Sequence, residues 1–326
     1  MSHSEAPNKN EALELWEIAA VILFIVVLTG SVMGNTLIIT IFFGFKNLQN
    51  STNCLICNQS IADLLTALFS WYYVSITYIP AGKLFIISNK YACLIFLLAV
   101  CISILSAFVN IMAISIERVI AIALPFVHKN SHKKKFVLLW IALTWIGILI
   151  SSSLPIFGVN QWKQGTPCNA YFVFEKWYLL HCVLYTMFFV LVMTALLNAT
   201  LGVCVLRQLL KRSKVAPHAK ITGQVGSTPK TTQKSNPVQN DLHTRNKRRI
   251  TIMLLVVVGV FYVCWLPYLS VTCYNLFHPM QYGANTNLVI FHEFTKVFMN
   301  VNGLLNPFIY AYRNSHFRKA FKKIFS

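Results

Sequence analysis

The chain has 326 residues, of which 56% are hydrophobic and only 11% are charged. A soluble protein of this length needs a more charged surface, so the composition argues against a soluble enzyme or binding module and favours a membrane protein. The formal net charge of +19 would suit a nucleic-acid partner. However, the basic residues are confined to a few segments, and no nucleic acid is predicted.

Seven apolar stretches are long enough to cross a bilayer, which takes about 20 residues of helix. All seven are predicted to be helices, because lipid offers the backbone no hydrogen-bond partner. The predicted spans cover residues 16–43, 54–79, 91–123, 136–157, 177–206, 250–276 and 286–310.

The basic residues lie on one side of these spans. Residues 207–249 are rich in Lys and Arg and contain only one acidic residue, Asp241, and further basic groups occur in 129–135 and 313–323. The residues ahead of the first span carry more acidic than basic side chains. The positive-inside rule then predicts a plasma-membrane protein with its N-terminus outside and its C-terminus in the cytosol. The predicted regions are an extracellular N-terminus (1–15), a membrane domain (16–310) and a cytoplasmic tail (311–326).

Two cytoplasmic segments have distinct compositions. Residues 213–244 are polar and basic and contain Pro and Gly, which predicts a disordered loop. In the tail, Phe317 and Phe321 are spaced i, i+4 among Lys and Arg residues. This pattern predicts an amphipathic helix at the inner membrane interface, in contact with membrane lipid.

Two of the nine cysteines are predicted to form a disulfide. Most of the cysteines lie inside spans, where a thiol is usually a small buried apolar group. Cys93 instead lies at the outer start of the third span, and Cys168 lies in the outer loop after the fourth. Both face an oxidising compartment, where a disulfide persists.

Polar residues inside the spans are candidates for function. An Asp at the centre of a membrane helix costs about 2.5–3.5 kcal/mol on the insertion scale. Asp63 lies within the second span and Arg118 lies at the end of the third, so each is expected to have a specific role.

The motifs of the chain occur in a recognisable order. They are Gly34-Asn35 in the first span, Asp63 in the second, Cys93 and Glu117-Arg118-Val119 in the third, Trp145 in the fourth, Trp265-Leu266-Pro267 in the sixth and Asn306-Pro307-Phe308-Ile309-Tyr310 in the seventh. Over nearly its whole length the chain therefore resembles the rhodopsin-like (class A) G-protein-coupled receptors, with Val119 where that family usually has Tyr. The resemblance implies an all-α fold, a seven-transmembrane helix bundle followed by a short amphipathic helix. The short termini look most like those of amine, adenosine and melatonin receptors.

The resemblance implies an allosteric sodium ion at Asp63 and no other cofactor. In the family this carboxylate lies near Asn302 and Asn306, and the ion favours the inactive state. A position that usually supplies a hydroxyl to the ion is Ala107 here, and Ser103 is the candidate substitute. The alternative is a protonated Asp63 that is hydrogen-bonded to Asn306.

The resemblance also implies an activation switch. Arg118 pairs with Glu117 at rest and is then freed, and Pro267 kinks the sixth span beside Trp265 and Phe261. In the seventh span Pro307 introduces a second kink, and Tyr310 reaches toward Arg118 in the open state.

The coupling surface for a heterotrimeric G protein is predicted at Arg118, Phe126, Lys247, Arg248 and Arg249. The last three residues are basic, whereas many members of the family have an acidic residue there that restrains the arginine equivalent to Arg118. Arg118 is therefore predicted to be weakly restrained in the inactive state, which predicts measurable basal signalling. Arrestin and receptor kinases are predicted to act on Ser and Thr residues within 213–244.

The ligand pocket is predicted at the outer ends of the spans. Val100 stands where amine receptors have an Asp, and Asn300 stands where opsins have the retinal-binding Lys. Lys296 is expected either to pair with Glu293 three residues away or to face the pocket and bind an acidic or carbonyl group. The predicted pocket residues are Tyr73, Phe96, Val100, Cys101, Ile104, Tyr268, Thr272, His292, Lys296 and Asn300.

These observations predict a G-protein-coupled receptor that transduces an extracellular small ligand, whether amine-like, nucleoside-like, a small peptide or a lipid. No intact catalytic constellation is present in the sequence, so the protein is not predicted to be an enzyme. The alternatives are an opsin-like light sensor and a seven-span channel or transporter, although neither a continuous polar path nor inverted repeats are evident in the sequence.

Overall fold

A computed structural model of the protein describes residues 13–123, 134–181, 186–215, 237–278, 285–313 and 315–325. Seven long helices dominate it, and an eighth, shorter helix follows them. They are α1 Leu15–Gly44, α2 Ser51–Tyr78, α3 Lys90–Ala123, α4 Lys134–Ser153, α5 Thr186–Val215, α6 Pro237–Phe277, α7 Thr286–Arg313 and α8 Ser315–Phe325. The described residues contain no strand beyond an isolated bridge between Asn160 and Phe174, so the predicted all-α fold is confirmed.

Among the described residues, six helical segments are long and apolar enough to cross a membrane, namely Leu15–Gly44, Ser51–Tyr78, Lys90–Ile122, Lys134–Ser153, Lys176–Arg207 and Thr251–Phe277. Helix α7 is long enough as well but is more polar, since it carries Glu293, Lys296 and several Asn residues. Glu293, Asn300 and Asn306 are buried. The polar side chains of α7 therefore face the bundle, while residues such as Phe298 and Phe308 are exposed on its outer side.

Several predicted boundaries differ from the observed ones. Helix α4 ends at Ser153 instead of residue 157, because Pro155 has no N–H for the helical ladder and clashes with the preceding turn. The predicted fifth span, 177–206, agrees with the long apolar helical segment Lys176–Arg207, of which residues 182–185 lie outside the described residues. Three short helices outside the predicted spans were not predicted: Lys46–Leu48, Pro80–Ser88 and Ala170–Val173.

The segment predicted to be a disordered loop, 213–244, is helical at both of its ends. Helix α5 continues to Val215 and α6 begins at Pro237, while residues 216–236 lie outside the described residues. Lys, Arg, Gln and Leu, which are frequent in these two ends, are good helix formers. Local propensity therefore extends both helices beyond the membrane core.

Helix α3 lies at the centre of the bundle and packs against α2, α4, α5 and α6, whereas α7 packs against α1, α2 and α6. Where α1 meets α7, glycine allows a close approach. A Cβ at Gly34 would lie 2.9 Å from Cγ of Pro307, and one at Gly303 would lie 2.8 Å from Oγ of Ser31. Nδ2 of Asn35 donates to the carbonyl of Gly303 at 2.9 Å, so these residues position α7 against the polar centre of the bundle.

Candidate functional site

The predicted disulfide between Cys93 and Cys168 is present, with the two Cα atoms 5.7 Å apart. It joins the outer start of α3 to the loop that follows α4. The hydroxyl of Tyr171 donates to the carbonyl of Thr272 on α6 at 3.3 Å. The loop is thus held across the outer end of the bundle from two sides.

Beneath this loop lies a cavity of about 170 Å³. Its walls are mostly aromatic and aliphatic, as in many small-molecule sites. The structure brings together around it all ten residues that were predicted to form the pocket: Tyr73, Phe96, Val100, Cys101, Ile104, Tyr268, Thr272, His292, Lys296 and Asn300.

The cavity has further walls that sequence reasoning missed. Phe24 of α1 and Phe69 and Ser70 of α2 line it, as do Tyr171 and Phe174 of the outer loop. The loop residues could have been found from the disulfide, because a bridge from Cys168 to α3 must bring the following residues over the pocket. Phe24 carries no such signal, since nothing near it in sequence distinguishes it from lipid-facing residues.

A polar cluster forms one wall of the cavity. Nζ of Lys296 donates to Oε1 of Glu293 at 2.7 Å and to the hydroxyl oxygen of Tyr73 at 2.7 Å. The hydroxyls of Tyr73 and Tyr78 lie 2.7 Å and 3.2 Å from Oε2 of Glu293 and donate to this carboxylate. Lys296 thus pairs with Glu293 and also lines the cavity, while its binding of a ligand group stays a prediction.

Two other polar groups of the cavity are also held in place. The ring of His292 stacks on the ring of Tyr268, with centroids 5.7 Å apart. Asn300 accepts a hydrogen bond from Ser70 at 3.0 Å and donates to the carbonyl of Lys296 at 2.9 Å. These contacts fix the orientation of both side chains in the cavity wall.

Below the cavity, three aromatic rings pack at the bend of α6. The ring of Phe108 on α3 lies 4.8 Å from both Phe261 and Trp265, in edge-to-face contacts. All three side chains are buried, and Pro267 lies within α6 close by. Aromatic contacts therefore link α6 to α3 beside Pro267.

Deeper in the bundle, Asp63 is buried and both of its carboxylate oxygens accept hydrogen bonds. Nδ2 of Asn306 donates to Oδ2 at 2.7 Å, and Nε2 of Gln59 donates to Oδ1 at 3.0 Å. Among the described residues, Oδ1 of Asn306 and Oδ1 of Asn302 have no donor. The Asp63 carboxylate and these two buried, unsatisfied carbonyl oxygens are the candidate ligands for a monovalent cation, since buried polar oxygens need a partner.

Two further observations bear on this site. The hydroxyl of Ser103 donates to the carbonyl of Val100 at 2.9 Å, which leaves its oxygen lone pairs available to a cation. No group of three His, Cys, Asp or Glu side chains in the described part of the chain could hold a metal ion. A cation at Asp63 would therefore depend on amide and hydroxyl oxygens, which suits sodium better than a transition metal.

A chain of amide hydrogen bonds, not predicted from the sequence, reaches Asp63 from α4. Nε1 of Trp145 donates to Asn58 at 2.9 Å, and Asn58 donates to Asn110 at 2.9 Å. Asn110 then donates to Gln59 at 2.9 Å, and Gln59 donates to Asp63. The chain connects α4, α2 and α3 to the carboxylate.

At the inner end of α3, Arg118 forms an ion pair with Glu117 and donates to the hydroxyl of Thr52 on α2. The same hydroxyl donates to Glu117 at 3.0 Å. Tyr310 is fully buried, and its hydroxyl has no partner among the described residues. Phe126 lies outside the described residues, and Lys247, Arg248 and Arg249 lie on α6, where only the backbone is described.

The chain belongs to the rhodopsin family of seven-transmembrane receptors, whose family model matches residues 34–310. It is similar to the tachykinin-like peptides receptor 99D of Drosophila melanogaster, with 27% identity over 92% of this chain and 55% of that receptor. It is also similar to the adenosine receptor A2b of Homo sapiens, with 25% identity over 96% of this chain and 92% of that receptor. The allatostatin-A receptor of Bombyx mori is 23% identical over 90% of this chain and 75% of that receptor. The chain thus spans about half the length of the fly receptor but nearly the whole of the human one.

Membership of this family defines the class of protein. The protein is a multi-pass membrane receptor of the G-protein-coupled class and is not an enzyme. The seventh predicted span, 286–310, which is not among the six most apolar helical segments, falls inside the matched region. An extracellular ligand and a heterotrimeric G protein are the partners that this class implies.

Proposed function

We propose that the protein is a plasma-membrane receptor that binds a small extracellular ligand in the cavity under the Cys168 loop and activates a heterotrimeric G protein at its inner end. The N-terminus is outside and the C-terminus is in the cytosol. The observation that carries the proposal is the combination of an outer polar–aromatic cavity with a buried Glu117–Arg118 pair at the opposite end of α3. The basic inner segments support this orientation.

The ligand has an apolar body and a hydrogen-bond acceptor that reaches Lys296. Glu293 neutralises Lys296 within the cavity wall. A ligand carboxylate would compete with Glu293 and leave a net negative charge in a buried site, which is costly. A neutral carbonyl is therefore the favoured acceptor, and the aromatic walls accommodate a flat or branched apolar group. No acidic group stands at Val100 to hold a monoamine.

Ligand binding reaches the switch through two residues of the cavity wall. Ile104 lies one turn outward of Phe108 on α3, and Tyr268 contacts Trp265 at a centroid distance of 6.2 Å. Movement of either residue shifts the packing of Phe108, Phe261 and Trp265, and the helix bends at Pro267. The inner half of α6 swings outward, a bistable rearrangement of the hinge type.

At the inner end, this movement exposes Arg118 to the G protein. The coupling surface comprises Arg118, Phe126, Lys247, Arg248 and Arg249, and Tyr310 provides a hydroxyl that Arg118 can meet once it leaves Glu117. Arrestin and receptor kinases act on the segment between α5 and α6. A sodium ion at Asp63 stabilises the resting state, supported by the unsatisfied oxygens of Asn302 and Asn306.

The experiment that tests the receptor function is a ligand-library screen in cells that express promiscuous G-protein reporters. Arg118→Ala serves as the control that keeps the cavity intact but removes the coupling residue. A ligand that activates the parent and not Arg118→Ala supports the proposal. Ligand-evoked current in cells without G proteins would instead favour a channel, and absorption of visible light after reconstitution with retinal would favour a light sensor.

Lys296 is expected to be essential for the response to the ligand found in this way. Removing it alone leaves Glu293 buried without a counter-charge, which costs about 3–5 kcal/mol, so the informative variant is Lys296→Gln combined with Glu293→Gln. We expect a loss of potency of about tenfold or more, since a hydrogen bond to a charged group is removed. Lys90→Ala, an exposed lysine at the outer end of α3, is the matched control. Equal potency in the parent and the double variant, at equal surface expression, would refute the role of Lys296.

A further inference from the structure

A second cavity lies at the inner end of the bundle, between the short Lys46–Leu48 helix and α8. Its volume is about 200 Å³, and it is lined by Phe45, Asn47, Lys319, Ala320 and Lys323. Two elements that are distant in sequence form this cavity, because α8 folds back against the end of α1. It is far from the ligand cavity and takes no part in the switch described above.

The two lysines of this cavity lack an anionic partner. Among the residues whose side chains are described, neither Lys319 nor Lys323 pairs with a carboxylate, and Nζ of Lys323 lies 5.8 Å from the ring centroid of Phe45. Of the nine acidic residues in the chain, only Glu117 and Asp241 belong to the inner halves of the helices. Glu117 is already engaged by Arg118 and Thr52. The cavity therefore concentrates positive charge that other side chains described at this end of the bundle do not neutralise.

One side of the cavity is apolar and continuous with the bundle. Phe317 and Ala320 are buried in the same cluster as Phe42 and Leu48, and Phe45 packs on that cluster. The apolar face of α8 thus contacts the receptor itself, while Lys319 and Lys323 are exposed. This combination of an apolar wall with cationic groups at its edge matches the boundary between the headgroups and the acyl chains of a bilayer.

We infer that this cavity binds the phosphate headgroup of an anionic phospholipid of the inner leaflet, and specifically a phosphoinositide. A phosphate monoester carries about 1.5 to 2 negative charges at neutral pH, which two ammonium groups and the side-chain amide of Asn47 can neutralise and hydrogen-bond together. Clustered lysines beside a membrane helix are the usual recognition elements for such lipids. The inference rests on the orientation given under the proposed function, since α8 must face the cytosol.

The test compares two double variants of the full-length receptor, each removing two charges at i, i+4 positions of α8. Lys319→Gln with Lys323→Gln removes the charges that line the cavity, whereas Arg318→Gln with Lys322→Gln removes exposed charges that do not. Binding of dioctanoyl phosphatidylinositol 4,5-bisphosphate to the purified receptor in detergent is measured by thermophoresis. Because the assay needs neither ligand nor G protein, its outcome is independent of the signalling assays that test the proposed function.

We expect affinity for the lipid to fall by about tenfold or more in the Lys319/Lys323 variant, since two charge-assisted hydrogen bonds are lost, and by much less in the Arg318/Lys322 variant. Asn47→Phe fills the cavity without changing its charge and should weaken binding as well. Equal losses in both double variants would show a diffuse basic surface and overturn the inference. So would equal binding of inositol 1,4,5-trisphosphate or inorganic phosphate, because the site would then recognise a free anion, and so would unchanged affinity in all variants.

Discussion

Asp63 is held tightly in the bundle, because its carboxylate is buried and both of its oxygens accept hydrogen bonds. One donor, Asn306, belongs to α7, and the other, Gln59, belongs to α2 itself. Gln59 in turn accepts from Asn110. A buried carboxylate needs such donors or a cation, since leaving it unpaired is prohibitive. The amide chain and the proposed sodium ion therefore both stabilise the buried carboxylate of Asp63.

Replacing Gln59 with Leu separates these two contributions. The change removes one donor to Asp63, and we expect the receptor to lose about 1–3 kcal/mol of stability in sodium-free buffer. Added sodium should restore part of this loss, so the rise in unfolding temperature on replacing potassium with sodium should be larger in the variant than in the parent. The measurement is thermal unfolding of the purified receptor in both salts.

The control for this prediction is Asp63→Asn, which removes the negative charge and should abolish the response to sodium. If Asp63→Asn responds to sodium as strongly as the parent, the ion does not bind at Asp63. The amide chain would then be the only means by which the fold holds this carboxylate, in line with the protonated alternative.

At the scale of helices, the contact between α1 and α7 depends on glycines, which have no side chain to keep the two backbones apart. Pro307 presses against the backbone of Gly34, and this contact lies next to the hydrogen bond from Asn35 to Gly303. In membranes such close approaches supply much of the helix–helix attraction, since lipid and apolar side chains are equally apolar. The proline that kinks α7 is thereby also its contact point with α1.

Gly34→Ala is expected to destabilise the receptor by about 1–3 kcal/mol, because the new methyl group meets the rigid ring of Pro307 and cannot be accommodated by a rotamer change. Gly147→Ala is the matched control, since nothing lies within 4 Å of a Cβ at Gly147 in α4. That change should be neutral or stabilise the helix by up to about 1 kcal/mol. Thermal unfolding in detergent measures both, and equal effects would refute close packing at Gly34.

For the whole molecule, the balance between resting and active arrangements depends on what holds α6 inward. The described hydrogen bonds of Arg118 go to Glu117 of its own helix and to Thr52 of α2. The inner part of α6 carries the basic sequence Lys247-Arg248-Arg249, which would repel an arginine. The bundle therefore resembles a switch with a small free-energy difference between its two states, and a small difference produces basal activity.

We expect measurable ligand-independent signalling in a panel of Gs, Gi and Gq reporters. Lys247→Glu should lower it by about two- to fivefold, since it gives Arg118 an ion-pair partner worth up to about 1 kcal/mol near the surface. Lys135→Glu, a charge reversal at the inner end of α4, should leave it unchanged. If the parent receptor shows no ligand-independent signalling at matched surface expression, the prediction that Arg118 is weakly restrained in the inactive state is wrong.

Some of the functional contacts could be predicted from the sequence, and others could not. Cys93 and Cys168 could be paired because both were predicted to face an oxidising compartment, and the disulfide is present. The ten predicted pocket residues do line one cavity, while their role in ligand binding stays a prediction. Gln59 could not be singled out, because an amide in a helix has no preferred partner until neighbouring helices are placed. The role of Lys296 stayed open for the same reason, since a residue three positions from Glu293 can pair with it and also face a cavity.

Local composition was enough to predict the all-α architecture, because the bilayer acts on every segment separately and admits only hydrogen-bonded helices there. The compartment of each loop stays a prediction from the positions of the basic residues. The packing of the helices decided everything that joins residues distant in the chain. Examples are the amide chain from Trp145 to Asp63, the loop over the outer cavity and the basic cavity between α1 and α8. Such contacts depend on the positions of several helices at once, and no short stretch of sequence contains that information.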